Sequence, residues 1–307
     1  MIMRASRARA RGSIVALTVL AVLLAACSAR VDPEAAAPSP TLAPTSEPAA
    51  APTTIGPSPD DAPFVFAVKG DWGAGTEAQR RVTRQMCEQR EAIPFDVVMT
   101  VGDNFYERGT ATRANYADPE RCLYARADHR WHATWGNHDQ AEDTRRVLGA
   151  EQRWYSWTGD GVEVFMLDSN RSGDAIQRAW LEDALASSTA PVKIAAFHHP
   201  PFTVGSVHDP SLKIQRDWVP LFRRHGVRMV FAGHNHLYEH LLIDGIDYVT
   251  TGGGGAGLYR CARTDPGLRR CVSAHHFLLV LVEGERIEVR AIDPRGNEID
   301  RFVSPPA

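Results

Sequence analysis

Five short polar motifs, each placed directly after a run of apolar residues, hold the side chains in this chain that could bind metal ions. A Gly-Asp pair after a strand is most often a plain turn, so a single motif of this kind predicts little. Here aspartate, asparagine, tyrosine and histidine recur in an ordered set that chance would rarely assemble. The motifs are Asp71-Trp72-Gly73, Gly102-Asp103-Asn104-Phe105-Tyr106, Gly136-Asn137-His138-Asp139, His198-His199-Pro200 and Gly233-His234-Asn235-His236.

These side-chain types suit a pair of metal ions that act on a phosphate ester. The negative charge of such an ester repels nucleophiles, and its alkoxide is a poor leaving group. Two cations ~3.5–4 Å apart neutralise the phosphoryl oxygens and make hydroxide from water near neutral pH. Oxygen donors suit Fe(III), Mn or Mg, whereas imidazole suits Zn, Fe or Mn. Both donor types are present, so the motifs predict a metal-dependent hydrolase of phosphate esters.

The apolar runs that end at or near the motifs predict buried β-strands. They are residues 64–68, 97–101, 132–135, 162–167, 192–197 and 227–232. Apolar residues recur at helical spacing in 76–90, 176–185 and 218–222. Further strand patterns occupy 240–243, 246–251, 277–282 and 286–292, with turn signals such as Asp244-Gly245 between them. The sum predicts a layered α/β sandwich of two mixed sheets with helices outside.

Residues 1–26 predict a secretory signal peptide. Four arginines precede an apolar run at 14–24 that is too short for a comfortable membrane-spanning helix. The stretch Leu24-Ala25-Ala26-Cys27 resembles a bacterial lipobox, whose cysteine becomes the lipidated N-terminus. We therefore expect an exported protein of the cell envelope, anchored to the membrane surface by lipid on Cys27. An ordinary signal peptide that contains a cysteine, and hence a secreted protein, is the alternative.

The rest of the chain divides into a tether and one catalytic domain. Residues 27–62 are rich in Ala, Pro, Ser and Thr and have almost no large apolar side chains, so they predict a flexible tether. Residues 63–307 are enough for one α/β domain. The chain has a formal net charge of −3, and the signal contributes arginines without acids. The acidic body that remains argues against a nucleic-acid partner.

Four cysteines remain after Cys27, and an even number in an exported protein suggests two disulfides. Cys261 and Cys271 flank a short polar loop, so a local bridge between them is the easiest pairing. A bridge between Cys87 and Cys122 follows by elimination. Buried free thiols are the alternative.

The ordered motifs resemble those of the calcineurin-like metallophosphoesterases and, within them, the purple acid phosphatases. Tyr106 carries the closer resemblance, because the broader family usually lacks a tyrosine at that step. The stretches Gly-Asp-Trp-Gly and Gly-Asp-Asn-Phe-Tyr look like those of the small, single-domain, mammalian-type members. The resemblance covers roughly residues 64–257. It implies a four-layer α/β/β/α sandwich and an acid phosphatase-like enzyme in which hydroxide held by the metals attacks a phosphate monoester.

The resemblance also implies seven ligands around two metal ions. Asp71, Tyr106 and His236 would hold the first metal, Asp103 would bridge, and Asn137, His198 and His234 would hold the second. A phenolate ligand pairs naturally with Fe(III), so we expect Fe(III) with a second divalent ion, Fe, Zn or Mn. A core tyrosine with a hydrogen-bonded hydroxyl is the alternative for Tyr106. The ligand lies two positions before Pro200 in the family pattern, which selects His198 over His199.

Two further histidines are expected to face the substrate. His138 follows Asn137 directly, and His208 sits where relatives carry another substrate-facing histidine; either could donate a proton to the leaving group. A solvated loop histidine beside Asp209-Pro210 is the alternative for His208. Asp139 could orient His138 or cap the helix that follows.

The motifs leave the substrate class and the oligomeric state open. A phosphodiesterase or nucleotidase could use the same scaffold, because substrate class depends on loops such as 107–130 and 203–212. A non-catalytic surface lipoprotein could keep the fold, although it would have no need for seven ligands. We expect a small-molecule phosphate ester as the partner of the site.

Overall fold

The computed structural model describes residues 62–106, 108–125 and 130–305. The predicted signal peptide, Cys27 and nearly all of the predicted tether lie outside these residues. Within the described ranges no helix is long and apolar enough to cross a membrane.

In the part of the chain that the structure describes, all the predicted strands and helices are present in the predicted order, and three further strands and three further α-helices lie between or after them. The strands are β1 (Phe64–Lys69), β2 (Val97–Thr100), β3 (Arg130–Ala133), β4 (Tyr155–Gly159), β5 (Val162–Met166), β6 (Val192–Ala196), β7 (Val227–Ala232), β8 (Tyr238–Ile243), β9 (Ile246–Thr251), β10 (Leu268–Val272), β11 (Phe277–Glu283), β12 (Arg286–Ile292) and β13 (Glu298–Ser304). The helices are α1 (Glu77–Ala92), α2 (Arg121–Tyr124), α3 (Ala141–Leu148), α4 (Ala175–Ser187), α5 (Leu212–Asp217) and α6 (Val219–Arg224).

The strands form two mixed sheets. The first has the order β13-β12-β11-β1-β2-β3, and the second has the order β10-β8-β9-β7-β6-β5-β4. In the first sheet β1, β2 and β3 run parallel. In the second sheet β5, β6, β7 and β9 run parallel. The carboxyl ends of parallel strands share one edge of a sheet, so the loops that follow them can form a common site.

Alternation along the central strands explains why the two sheets pack face to face. In β5, Val162, Val164 and Met166 lie in the core between the sheets. Phe165 points to the other face, where it packs with Leu181 of α4. Because successive side chains point to opposite faces and both faces are covered, this strand is apolar almost throughout.

Helices cover the outer face of each sheet. Val82 and Met86 of α1 pack against the first sheet, and residues of α4, α5 and α6 pack against the second. The α1 helix begins at a capping residue, since the Thr76 side chain accepts a hydrogen bond from the Gln79 N–H. The predicted four-layer α/β/β/α sandwich is therefore confirmed.

Both predicted disulfides are present, between Cys87 and Cys122 and between Cys261 and Cys271. The first joins α1 to α2, and the second joins β10 to the segment before it. The apolar pattern at 132–135 placed β3 two residues too late. The strand begins at Arg130, which pairs with Val97 of β2, and the charge of Arg130 hides this start from a search for apolar residues.

Candidate metal centre

The five motifs meet where the two sheets face each other. Asp71, Asp103 and Asn137 follow β1, β2 and β3 of the first sheet, while His198 and His234 follow β6 and β7 of the second. Asp71, Asp103 and His234 have φ angles of 55°, 48° and 69°. Non-glycine residues pay a cost for this left-handed conformation and cluster at functional sites. Of the five non-glycine residues with positive φ in the described parts of the chain, three are therefore predicted metal ligands, and the other two are Arg108 and Asp244.

Glycines let the motif loops approach one another closely. A Cβ atom on Gly233 would lie 2.4 Å from Oδ2 of Asp71, and one on Gly136 would lie 2.1 Å from the backbone nitrogen of Asp103. Any side chain at these positions would displace a predicted ligand. The glycines of the motifs thus serve the packing of the site.

The first group of predicted ligands converges around Oδ1 of Asp71. The Tyr106 hydroxyl donates to this oxygen over 3.0 Å, and Nε2 of His236 lies 3.3 Å from it. The same Nε2 lies 2.8 Å from the Tyr106 hydroxyl. Nδ1 of His236 donates to the carbonyl of Gly257 over 2.7 Å. That bond leaves the lone pair on Nε2, as in histidines that ligate metals.

The second group converges around Nε2 of His198. This atom lies 3.0 Å from Oδ1 of Asn137, 3.2 Å from Nδ1 of His234 and 3.4 Å from Oδ2 of Asp103. Nδ1 of His198 donates to the carbonyl of Val101 over 2.9 Å, which leaves Nε2 to hold either a proton or a metal ion. Several acceptors that face one another at hydrogen-bond distance need a cation or a proton between them. The donor set therefore fits a metal ion.

Asp103 lies between the two groups. It is buried, with Oδ2 near His198, and ligating atoms of Asp71, Asp103 and His236 also lie within 4.8 Å of one another. Burial raises the pKa of the Asp103 carboxyl, but the charge and hydrogen bond of His198 outweigh it, and the pKa is lowered overall. Asp103 is thus an anion in reach of both groups, which is the requirement for a bridging carboxylate.

Tyr106 is half-buried beside two carboxylates. Burial, followed by the charges of Asp71 and Asp103, raises the pKa of its phenol far above the usual value. Only a strongly charged cation at this position would make it a phenolate. Without a cation at this position the phenol of Tyr106 therefore keeps its proton.

His199 contacts the second group but its hydrogen bonds favour a different role. The Ser169 hydroxyl accepts from the backbone N–H groups of His198 and His199 over 3.2 and 3.0 Å. Its own proton is left for Nδ1 of His199, 2.8 Å away. Burial, with the nearby His198, lowers the pKa of His199 to about 3. With Nδ1 as the acceptor, Nε2 of the neutral His199 ring is a donor, although a ligating atom of His199 lies within 4.8 Å of those of His198 and His234.

The two predicted substrate-facing histidines contact different predicted ligands. The His138 ring lies 4.6 Å from the Tyr106 ring, and 48% of its side chain is exposed. The His208 ring stacks on His234 with a centroid distance of 3.7 Å. Both rings therefore border the predicted ligands, and the alternative of a purely solvated loop histidine does not describe His208.

Asp139 has neither of its two predicted roles. Its carboxylate accepts hydrogen bonds from the backbone of Gly136, Asn104 and Phe105, and from the Asn104 side chain. The capping position of α3 is Gln140, which makes no side-chain cap. Asp139 instead fastens the second and third motif loops together, because they present several N–H groups to one carboxylate.

Two residues of the site were not singled out from the sequence. The Tyr259 ring stacks on His236 at a centroid distance of 4.2 Å and an interplanar angle of 11°. Asn235 is fully buried between the two ligand positions of the fifth motif. The position of Asn235 inside that motif was a signal that could have been used, whereas the sequence around Tyr259 contains none.

Comparison with known proteins places this geometry in a family. The family model for calcineurin-like phosphoesterases matches residues 64–238. Purple acid phosphatase 17 of Arabidopsis thaliana is 28% identical over 240 residues, which cover 65% of this chain and 71% of that protein.

Two solved structures share the fold. GAP50, the anchor in the inner membrane complex of Plasmodium, has a TM-score of 0.71 at 15% identity, over 80% of this chain and 90% of that one. Purple acid phosphatase PPD1 from yellow lupin seeds has a TM-score of 0.67 at 17% identity, over 79% of this chain and 54% of that one. The solved structures show the fold alone. Phosphoester hydrolase activity is supported by the match to the family model and by the phosphatases that are similar in sequence. The chain belongs to the calcineurin-like phosphoesterase family, as a metal-dependent phosphoester hydrolase that is similar in sequence to purple acid phosphatases.

Proposed function

We propose that the protein is a phosphomonoesterase whose two metal ions are held by the seven predicted ligands. The observation that carries this proposal is the convergence of Asp71, Tyr106 and His236 on one side of Asp103 and of Asn137, His198 and His234 on the other. The bound ions would neutralise charge on the phosphoryl oxygens and lower the pKa of water at the site.

The protein's own groups would complete the reaction around that centre. The half-exposed ring of His138 contacts Tyr106 and the ring of His208 contacts His234, so either could hold the oxygen of the leaving alcohol. The carboxylates of Asp71 and Asp103 are buried in loops whose backbone has positive φ angles at both residues. Neighbouring glycines allow these loops to pack closely, which restricts the positions of the two carboxylates. This rigidity holds the reacting groups in place before the substrate arrives.

The phenol of Tyr106 favours Fe(III) in the first position and a divalent Fe, Zn or Mn in the second. Its hydroxyl points at both Asp71 and His236, so loss of the phenolic proton would place three donors on one cation. Imidazole nitrogens and an amide oxygen around His198 suit a divalent ion.

We also propose export and lipid attachment at Cys27, on the basis of the N-terminal sequence. The two disulfides are consistent with export, because disulfide bonds persist in oxidising compartments and are rare in proteins of reducing compartments. Mass spectrometry of the mature N-terminus tests this proposal. A chain that is not cleaved before Cys27, or that carries no lipid on Cys27, would contradict it.

The substrate class is tested with one chromogenic phosphate monoester and one chromogenic diester that share the same leaving group. We expect the metal-loaded protein to hydrolyse the monoester with the higher kcat/KM. A preference for the diester would favour a phosphodiesterase on the same scaffold. Turnover of neither ester by protein with a full metal complement would contradict the proposed function.

A further inference from the structure

The side chain of Asn235 is a buried amide that lies between the two ligand positions His234 and His236. It is fully buried, and the loop that contains His208 contacts it through hydrogen bonds with the backbone of His208. A Cβ atom on Gly205 would lie 2.6 Å from Cγ of Asn235. Glycine at 205 therefore allows this loop to reach the amide.

The amide of Asn235 pairs with both backbone polar groups of His208. Oδ1 accepts from the His208 N–H over 3.2 Å, and Nδ2 donates to the His208 carbonyl over 3.2 Å. The second proton of Nδ2 goes to the Thr203 hydroxyl over 2.9 Å. Only a side chain with both an acceptor and two donors satisfies these three groups, and an amide is that side chain.

The His208 carbonyl also accepts a hydrogen bond from a surface residue, Arg263. One nitrogen of Arg263 donates to the His208 carbonyl over 3.2 Å, and another pairs with Asp209 over 2.6 Å. The Asp209 side chain is 86% exposed. Exposed pairs of this kind contribute little, whereas an unsatisfied buried amide is costly. Asn235 is therefore the stronger of the two restraints.

The position of Asn235 links the restraint to the metal centre. Its chain neighbours His234 and His236 belong to the two different ligand groups, and the His208 ring stacks on His234. The consecutive residues His234, Asn235 and His236 thus include two predicted ligands and the side chain that restrains His208. Movement of either loop would change the distance between the centre and the His208 ring.

We propose that Asn235 is the positioning residue that fixes His208 over the metal centre. This rests on the proposed function, in which His208 contacts the leaving oxygen of the substrate. A buried asparagine that only stabilises the fold would affect every property of the site alike. A positioning residue acts through His208, and its effect disappears when the His208 ring is absent.

The test is a double-mutant cycle that combines Asn235→Asp with His208→Ala. The aspartate is nearly isosteric and keeps the acceptor for the His208 N–H, but it cannot donate to the carbonyl or to Thr203. Arg260→Ala is the matched control, since this exposed arginine lies on the neighbouring segment and only its backbone bonds the His208 loop. Metal content is measured for each protein, so that rates refer to loaded enzyme.

We expect Asn235→Asp to lower the kcat for a monoester by about 10- to 100-fold, with a smaller change in KM, because a displacement of about 1 Å costs up to this much. In the His208→Ala background the same change should cost less than about threefold, and Arg260→Ala should cost less than about twofold. An equal loss in both backgrounds would overturn the proposal, because the added charge or a general destabilisation would then account for it. A wild-type protein inactive on both esters would overturn the proposed function and, with it, this inference.

Hydrogen exchange gives a readout that needs no turnover. In metal-free Asn235→Ala the amide of His208 loses its acceptor, so its exchange should accelerate while the amides of β6 and β7 stay protected. Unchanged exchange at His208 would contradict the restraint. General acceleration in β6 and β7 would assign Asn235 to the fold alone.

Discussion

Nε2 of His198 lies 3.4 Å from Oδ2 of Asp103, although the two residues follow strands of different sheets. A cation shared by these groups would therefore tie the first sheet to the second. The chain reaches this arrangement because each ligand follows the carboxyl end of a parallel strand and the two edges face each other. Metal binding and folding should be coupled as a result.

The first prediction concerns this coupling. Metal removal by a chelator should lower the free energy of unfolding, by about 2.7 kcal/mol when the free metal had been at about 100 times its Kd. Urea unfolding with and without chelator measures the difference. Asp103→Asn should respond less to chelator than the wild type, and an equal response in that variant would contradict the shared-cation account.

The second prediction concerns Tyr106 and iron. A phenolate on Fe(III) absorbs visible light through charge transfer, so the iron-loaded protein should be coloured and Tyr106→Phe should lose the band. Tyr155→Phe is a suitable control, because its hydroxyl bonds the backbone of Ala133 and none of the predicted ligands. Persistence of the same visible band in Tyr106→Phe would exclude the tyrosinate assignment.

The third prediction concerns His240, which joins the two sheets because it lies on β8 and contacts Asp300 of β13. Its Nε2 lies 2.7 Å from Asp247, and its Nδ1 lies 3.7 Å from Asp300 of β13. Burial opposes protonation of His240, but the bond to Asp247 and the influence of Asp300 outweigh it and raise the pKa. The stabilisation is then fully present below the unfolded pKa of about 6.5 and is lost as the pH rises through the higher folded pKa.

Urea unfolding of wild type and His240→Gln at pH 5.5 and pH 9 measures this effect. The variant should lose more stability at pH 5.5 than at pH 9. Asp300→Asn should reduce the same pH dependence, because it removes one of the two carboxylates that hold the charged ring. A stability loss that does not change with pH would show that His240 acts as a neutral packing residue.

The fourth prediction ranks the two disulfides. Cys87 and Cys122 are separated by 35 residues, and Cys261 and Cys271 by 10. In the chain-entropy description the longer loop contributes about 4 kcal/mol and the shorter about 3 kcal/mol. Replacement of each pair by serine should therefore destabilise the protein more at Cys87–Cys122. The reverse order in urea unfolding would mean that local contacts around Cys261 and Cys271 dominate.

Most of the fold could be predicted from the sequence, because its central strands are short apolar runs that end at motif residues. The strands at the sheet edges were harder to predict than the central ones. The pattern missed β10 and β13, which place polar side chains such as Arg270 and Arg301 on exposed faces. It also missed β4, where Trp157 is buried between more exposed neighbours. Edge strands buried on one side give a weak apolar signal.

The ligand positions could be predicted because they lie within short motifs, but long-range partners could not. Glu120 lies in the segment 107–130, which the sequence assigned to substrate selection. It is fully buried and pairs with Lys69 at the end of β1, over 2.5 Å. Gln79 and Thr83 of α1 also donate to its carboxylate. At least this part of the segment is therefore an anchor of the fold.

The positions of Tyr259 and Asn235 show the same limit at the site itself. Tyr259 reaches His236 only because its backbone N–H bonds the His236 carbonyl over 2.8 Å. Asn235 meets His208 only because the Gly205 loop folds onto it. These contacts arise from tertiary packing, for which a single sequence carries no local pattern.

The central claim, a two-metal centre bridged by Asp103, is tested most directly by the metal content of purified protein after saturation and removal of free metal. We expect two ions per chain in the wild type, one or none in Asp103→Asn, and two in the control Asp183→Asn, whose side chain is exposed on α4. Fewer than two ions in the wild type, or two in Asp103→Asn, would contradict the account.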